Sequence, residues 1–197
     1  MGVNVAPLTP DEHDAAVGVL ARGMRDNPLH VAAFGDDTDH RVGVLTGMFQ
    51  VVVGGQPEAL RADEAGTIVG TCGLGSGEPC AVAAYADIPR GQFPPITDDP
   101  AEVDRLYEWL TAWAERDPAE LHLHLGPIAA EAGRQGEGIG TALMNVFCDR
   151  ADRDGVLAYL ETDKAENVGF YEKFGFETTG EATVIGVPNW FMRRPPR

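Results

Sequence analysis

Residues 121–143 constrain the fold of this chain more than any other stretch. Leu121-His122-Leu123-His124-Leu125 alternates with period two, as a half-buried strand does, and runs on through Gly126-Pro127-Ile128-Ala129-Ala130. The next residues form a polar loop, Gln135-Gly136-Glu137-Gly138-Ile139-Gly140-Thr141, and Ala142, Leu143, Val146 and Phe147 then carry the spacing of a helix. A glycine loop between strand and helix start turns several backbone N–H groups outward at the positive end of a helix dipole. That is an anion site, suited to phosphate or pyrophosphate. Side chains at those positions would hold a ligand away from the backbone, which is why glycine belongs there. A dinucleotide-binding turn is one candidate, and Glu161 stands where such a fold places an acidic residue for a ribose hydroxyl. Against it, Thr141 occupies the third glycine position, and too few residues follow for a doubly wound sheet.

Composition narrows the classes. With 197 residues, 44 % of them hydrophobic, the chain can bury one sizeable core, so residues 1–197 read as one domain. No run reaches the roughly 18–20 apolar residues that a membrane span requires, so no membrane is expected as partner. The start Met1-Gly2-Val3-Asn4-Val5 lacks the basic and apolar regions of a secretion signal. Three cysteines (Cys72, Cys80, Cys148) form neither a CxxC nor a Cys/His set with zinc spacing, so no metal is expected and reduced thiols point to the cytoplasm. A formal net charge of −16 argues against a nucleic-acid partner, which needs a basic surface. The same charge would steer a cationic amine inward, or simply keep the protein soluble.

The remaining elements follow from period and punctuation. A short strand covers 3–8, and Thr9-Pro10-Asp11-Glu12 opens a helix with Pro at its first position. That helix ends at Asp26-Asn27-Pro28, and a second one runs from Asp39 to Val52. Strands 58–62 and 67–72 form a hairpin over Asp63-Glu64-Ala65-Gly66. Residues 73–99 are rich in Gly and Pro and read as an irregular segment, with Glu78, Tyr85 and Asp87 as its polar groups. A helix over 100–117 places Val103, Leu106, Leu110 and Trp113 inward. After the motif helix come a strand at 156–162, a short helix, and closing strands at 176–187 and 190–193. The order βααββαβαβαβ predicts an α/β (α+β) domain, a mixed, mostly antiparallel sheet of about six to seven strands flanked by helices.

Two motifs in sequence order resemble the GNAT superfamily of N-acetyltransferases. Gln135-x-x-Gly138-x-Gly140 matches its Q/R-x-x-G-x-G/A loop, and Asn167-x-x-Phe170-Tyr171-x-x-x-Gly175-Phe176 matches its N-x-x-F-Y-x-x-x-G-F segment. The resemblance covers the C-terminal part of the chain; ahead of it only the order of elements agrees. Leu160-Glu161-Thr162 and a near-terminal Trp190-x-Met192-x-Arg194 make the tail most similar to puromycin N-acetyltransferase-like bacterial enzymes.

This resemblance implies acetyl-CoA as co-substrate and a primary amine of a small molecule as acceptor, acetylated by direct attack in a ternary complex. A non-catalytic acyl-CoA-binding sensor and a protein or peptide N-acetyltransferase are the alternatives, with a monomer or homodimer as the assembly. Ile128, Ala129 and Ala130 would pair with the pantetheine arm as an added strand. Gln135, Gly136, Glu137, Gly138, Ile139, Gly140 and Thr141 would hold the pyrophosphate, helped by Arg134, and Asn167 would bond the pantetheine near its thiol end. Tyr171 would protonate the leaving thiolate, since a phenol with pKa about 10 stays protonated where a thiol of about 8.5 does not. On the substrate side Glu161 stands at the carboxyl end of its strand, and His122 and His124 share one strand face; either histidine can be a base or a hydrogen-bonded core residue. Position 137 is usually Lys or Arg in this loop. Glu137 would repel pyrophosphate by roughly 1 kcal/mol at about 4 Å in water unless it points into solvent. Ala132 stands where a proline is usual.

Overall fold

A computed structural model describes residues 2–55, 58–76 and 82–197. Seven strands form one sheet in the order β1-β2-β3-β4-β5-β7-β6. They are β1 (Asn4–Pro7), β2 (Glu58–Glu64), β3 (Thr67–Ser76), β4 (His122–Ala130), β5 (Leu157–Thr162), β6 (Glu177–Val184) and β7 (Val187–Arg194). Every neighbouring pair is antiparallel except β4 and β5, so the mixed, mostly antiparallel sheet read from the sequence is what forms. Six α-helices flank it: α1 (His13–Met24), α2 (Pro28–Phe34), α3 (Thr38–Gly55), α4 (Pro100–Ala114), α5 (Ile139–Asp154) and α6 (Ala165–Glu172).

Each face of the sheet has its own core. On one, Ile139, Leu143, Met144 and Phe147 of α5 and Tyr171 of α6 pack against Cys72, Leu123, Leu125, Leu160 and Met192. On the other, α1 to α4 bring Leu20, Leu29, Leu45, Phe49 and Trp109 together over Ala129 and Val184. The α1 helix sits hard against the sheet. A Cβ at Gly23 would run into the Ala130 carbonyl oxygen and come within 2.9 Å of the Ala129 Cβ, so only a hydrogen fits there.

Two parts of the chain differ from the sequence reading. Asn27-Pro28 ends α1 but also begins α2, with Asn27 extended (φ −67°, ψ 138°) and Pro28 at the first helical position. A stop signal was also a start signal. The second difference lies in β3, which continues to Ser76 where an irregular segment from residue 73 was expected. Gly73 and Gly75 lower strand propensity, yet pairing to β2 on one side and β4 on the other decides the matter. From 82 to 99 the chain is irregular as expected, with two short 3-10 turns. It is nevertheless anchored. Phe93 is buried against Tyr85 and Tyr107, Arg90 pairs with Asp104, and Thr97 Oγ1 donates to Glu102 at 2.6 Å. Glu78 and Cys80 lie outside the described residues.

The near-terminal Trp190-x-Met192-x-Arg194 pattern has a structural explanation. Trp190 and Met192 face the α5 core. Arg194, 3 % exposed, donates to both oxygens of Asp152 at 2.8 and 2.7 Å and to the Phe174 carbonyl at 2.9 Å. Arg194 holds the Asp152 carboxyl down at about 2, from an ordinary 3.8. A carboxyl depressed in the folded state contributes stability above its unfolded pKa, and loses it as pH falls through the folded value. We expect an acid-side loss of stability between about pH 4 and 2, and expect Arg194→Met to remove that component from melting curves recorded across this window. A melting curve whose acid dependence is the same in both proteins would show that the pair is not coupled to folding.

Candidate functional site

The site is built where β4 and β5 part. Their parallel ladder covers only His122 with Leu157, Leu123 with Ala158 and His124 with Tyr159, although β4 continues to Ala130 and β5 to Thr162. A bulge widens the gap: Cys72 of β3 faces Ile128 and Leu74 faces Leu125, so two residues of β4, Gly126 and Pro127, stand against Gly73 alone. The extra residue shifts the side-chain alternation. Leu123 and Leu125 face α5, and after the bulge Ile128 and Ala130 do, while Ala129 turns to the α1 side. Ile128, Ala129 and Ala130 thus line the open edge of β4 beyond the last pair with β5, a backbone edge free to accept an extended ligand as an extra strand.

The loop after β4 delivers the anion site. Gly133, Gly136 and Gly138 take positive φ of 80°, 87° and 85°, and no atom lies within 4 Å of a Cβ built at any of them. The loop can therefore bring its backbone up to a ligand, at a conformation other residues adopt only with strain. Gly138 is the N-cap of α5 with no side-chain cap, which leaves the N–H groups around Ile139, Gly140 and Thr141 to an external acceptor. Gln135 accepts from Gly133 N at 3.0 Å and so braces the turn. Gly140 leaves room for Phe170 of α6, 3.5 Å from its would-be Cβ. Glu137 is exposed, and it is also paired. It takes Arg134 at 2.9 and 2.6 Å, and Arg134 also reaches Glu64 at 2.8 Å. The loop's arginine is thus already shared between two carboxylates.

At the far side of the gap stands α6. Tyr171 is 5 % exposed, packed edge-on between Phe170 and Phe176. Burial first, then the neighbouring Asp163 and Cys72, push its phenol above the ordinary value, so it is a proton donor throughout the neutral range. Burial likewise pushes the Cys72 thiol up to about 12. Asn167 Nδ2 donates to Thr162 Oγ1 at 3.4 Å, which holds it at the end of β5. Asp163 accepts from Leu29 N at 2.7 Å and ties α2 to the same strand end; burial raises its carboxyl.

The three substrate-side residues form one buried polar group. His124 Nε2 meets Glu161 Oε2 at 2.7 Å, and the Glu161 side chain is 2 % exposed. Its other oxygen, Oε1, has no hydrogen-bond partner among the described residues. His122 Nδ1 lies 2.8 Å from the Glu120 carbonyl. Behind both histidines is Asp117, which the sequence reading did not single out; it precedes the motif strand in an unremarkable Asp-Pro step, and only the fold carries it under β4. For Asp117 burial alone would raise the carboxyl, but the two histidines outweigh it and hold it at about 2. Tyr159 closes the group, its ring edge-on to His122 and His124 at 5.6 and 5.2 Å.

The residues singled out from sequence thus supply an unpaired stretch of strand edge, a glycine loop at a helix start, a buried phenol and a buried carboxylate. The profile of the acetyltransferase (GNAT) family matches residues 54–176. The fold is shared with a structure described as histone acetyltransferase HPA2 and related acetyltransferase from Corynebacterium glutamicum (20 % identity, TM-score 0.72, 100 % of this chain and 98 % of that one). It is shared also with the polyamine N-acetyltransferase of Drosophila melanogaster, which forms N-acetylagmatine (12 % identity, TM-score 0.72, 98 % and 100 %). An acetyltransferase of Salmonella typhimurium solved with its cofactor acetyl-CoA is similar as well (14 % identity, TM-score 0.55, 100 % and 95 %). No described helix is long and apolar enough to cross a membrane.

Proposed function

Because the chain belongs to the acetyltransferase (GNAT) family, and so is an acetyl-CoA-dependent N-acetyltransferase, we propose that it acetylates the primary amine of a small molecule. The observation that carries this is Glu161. It is a buried carboxylate two residues beyond the last β4–β5 pair, with Oε2 committed to His124 and Oε1 without a hydrogen-bond partner among the described residues. A buried carboxylate oxygen without a donor is costly unless a ligand supplies one, and an ammonium is the matching donor.

Acetyl-CoA supplies an activated thioester carbonyl, and the remaining work falls to the protein. The edge Ile128–Ala130 and Asn167 would align the pantetheine, and residues 135–141 would hold the pyrophosphate through backbone N–H groups. Glu161 would take one proton from the bound ammonium, which frees the lone pair that attacks the carbonyl carbon, and the second nitrogen proton passes to solvent, from which Tyr171 regains the one it donates. As the carbon–sulfur bond breaks, Tyr171 would protonate the thiolate, so the products are the amide and the free thiol.

Three further features support a small amine. The net charge of −16 favours arrival of a cation. The Drosophila relative acts on polyamines. Residues 82–99, part of the expected acceptor segment 73–99, lie anchored on α4. The likeness of the tail to puromycin N-acetyltransferase-like enzymes agrees with this, although Arg194 and its neighbours act on the fold and do not reveal the acceptor. Acetyl-CoA at 1,000-fold excess over Kd is expected to stabilise the protein by about 4 kcal/mol, and thiol release should then require an amine from a small-molecule panel. Absence of a thermal shift at millimolar acetyl-CoA would remove the site assignment. Release supported by amino-terminal peptides and by no small amine would replace this acceptor class with proteins.

A further inference from the structure

We propose that Asp117, His122 and His124 form a binding site for a divalent cation of the zinc class. Asp117 Oδ1 stands 3.4 Å from His122 Nε2 and 3.4 Å from His124 Nδ1, and the three ligand atoms lie within 4.8 Å of one another. These contacts are longer than the roughly 2.7–2.9 Å of a charge-assisted hydrogen bond. They match instead the edge of a tetrahedron around Zn2+, about 3.3 Å for ligand distances near 2.0–2.1 Å.

The outer partners of the rings point the same way. His122 Nδ1 faces the Glu120 carbonyl at 2.8 Å and His124 Nε2 faces the Glu161 carboxylate at 2.7 Å. Both of those groups only accept, so each ring nitrogen there carries its proton. With the rings neutral, the inner nitrogens present lone pairs toward the Asp117 carboxylate, while ring protonation makes them its donors instead, so a cation and the second ring protons compete for one place. Three acceptors converging in a buried space call for a cation at their centre. Carbonyl and carboxylate partners on the far nitrogen are also the arrangement that orients histidine for a metal. The side chains are 2 %, 1 % and 5 % exposed, so the site is shielded from bulk water. Two imidazoles with one carboxylate suit Zn2+ better than the all-oxygen preference of Mg2+ or Ca2+. The flanking cations turn elsewhere: Arg116 to the Ala112 carbonyl, Arg193 to Glu120. Three protein ligands stand together among the described residues, one fewer than the four Zn2+ takes. Through His124 a bound ion would also fix the proton that holds Glu161, the carboxylate assigned above to the amine, but the site itself stands on geometry that does not depend on that assignment.

The test uses the full chain without a polyhistidine tag, stripped with a chelator and dialysed into metal-free buffer. Titration with Zn2+ by calorimetry should give one equivalent per chain, and Co2+ should give the visible absorption of a tetrahedral ion. Asp117→Asn and His122→Gln should each lose that equivalent, and His13→Gln, on α1, should retain it. Folding of each variant is checked by circular dichroism, and the wild-type titration decides the matter even if one variant does not fold. No stoichiometric uptake by the folded wild type would overturn the proposal, as would uptake that persists in both folded site variants. Either result leaves acetyl-CoA binding as a separate measurement, so loss of the metal site and loss of the enzymatic reading cannot be confused.

Discussion

Tyr171→Phe is expected to slow the chemical step by about 10²–10⁴-fold, the loss typical of removing a general acid, or roughly 3–5 kcal/mol of transition-state stabilisation. Acetyl-CoA binding should be nearly unchanged. The ring is 5 % exposed and held by Phe170 and Phe176 at 5.3 and 6.1 Å, and a phenylalanine fills the same space. What disappears is one proton. Burial raises the phenol above its ordinary value, with Asp163 and Cys72 adding to the effect. The wild type should therefore show no falling limb in kcat/KM until beyond the ordinary phenol range near pH 10. Single-turnover measurement is the proper readout, because slow product release can mask a chemical defect. Equal single-turnover rates in the two proteins would make Tyr171 a packing residue and leave the thiolate to depart through water.

Much of this site was legible because its parts are local. The loop from Gln135 to Thr141 sits between one strand and one helix, and positive φ at Gly136 and Gly138 follows from residue type. Tyr171 and Asn167 share a helix whose start and glycine stop are both in the sequence. The limits are equally specific. Asp117 becomes visible only when the α4–β4 connection brings it under two strand histidines, a juxtaposition no spacing rule encodes. The extension of β3 to Ser76 depends on neighbours far along the chain, which override two glycines. Glu137 is exposed as expected, and the sequence did not show that Arg134, three residues away, pairs with it. Trp190, Met192 and Arg194 carried the likeness of the tail, and Arg194 closes the fold on Asp152. A pattern shared by related chains can thus record packing, and only the partner of each side chain separates the two cases.

Glu161→Gln should lower kcat/KM by about 10²–10⁴-fold, with a raised KM for the amine and unaltered affinity for acetyl-CoA. Glutamine keeps the volume and an oxygen that His124 can still donate to, so the β4–β5 junction should stay intact. It removes the charge that attracts an ammonium and the carboxylate proposed to take its proton. The same substitution also relieves a buried charge, and a protein in which Glu161 served structure alone would lose little or even gain stability. Stability and catalysis are therefore expected to move in opposite directions: a melting midpoint equal to or above that of the wild type, beside a large loss of turnover. A purely structural Glu161 would give the reverse pattern, with turnover within a few fold of wild type. The unpartnered Oε1 decides which outcome to expect. That oxygen has no hydrogen-bond partner among the described residues, and an ammonium would supply the donor.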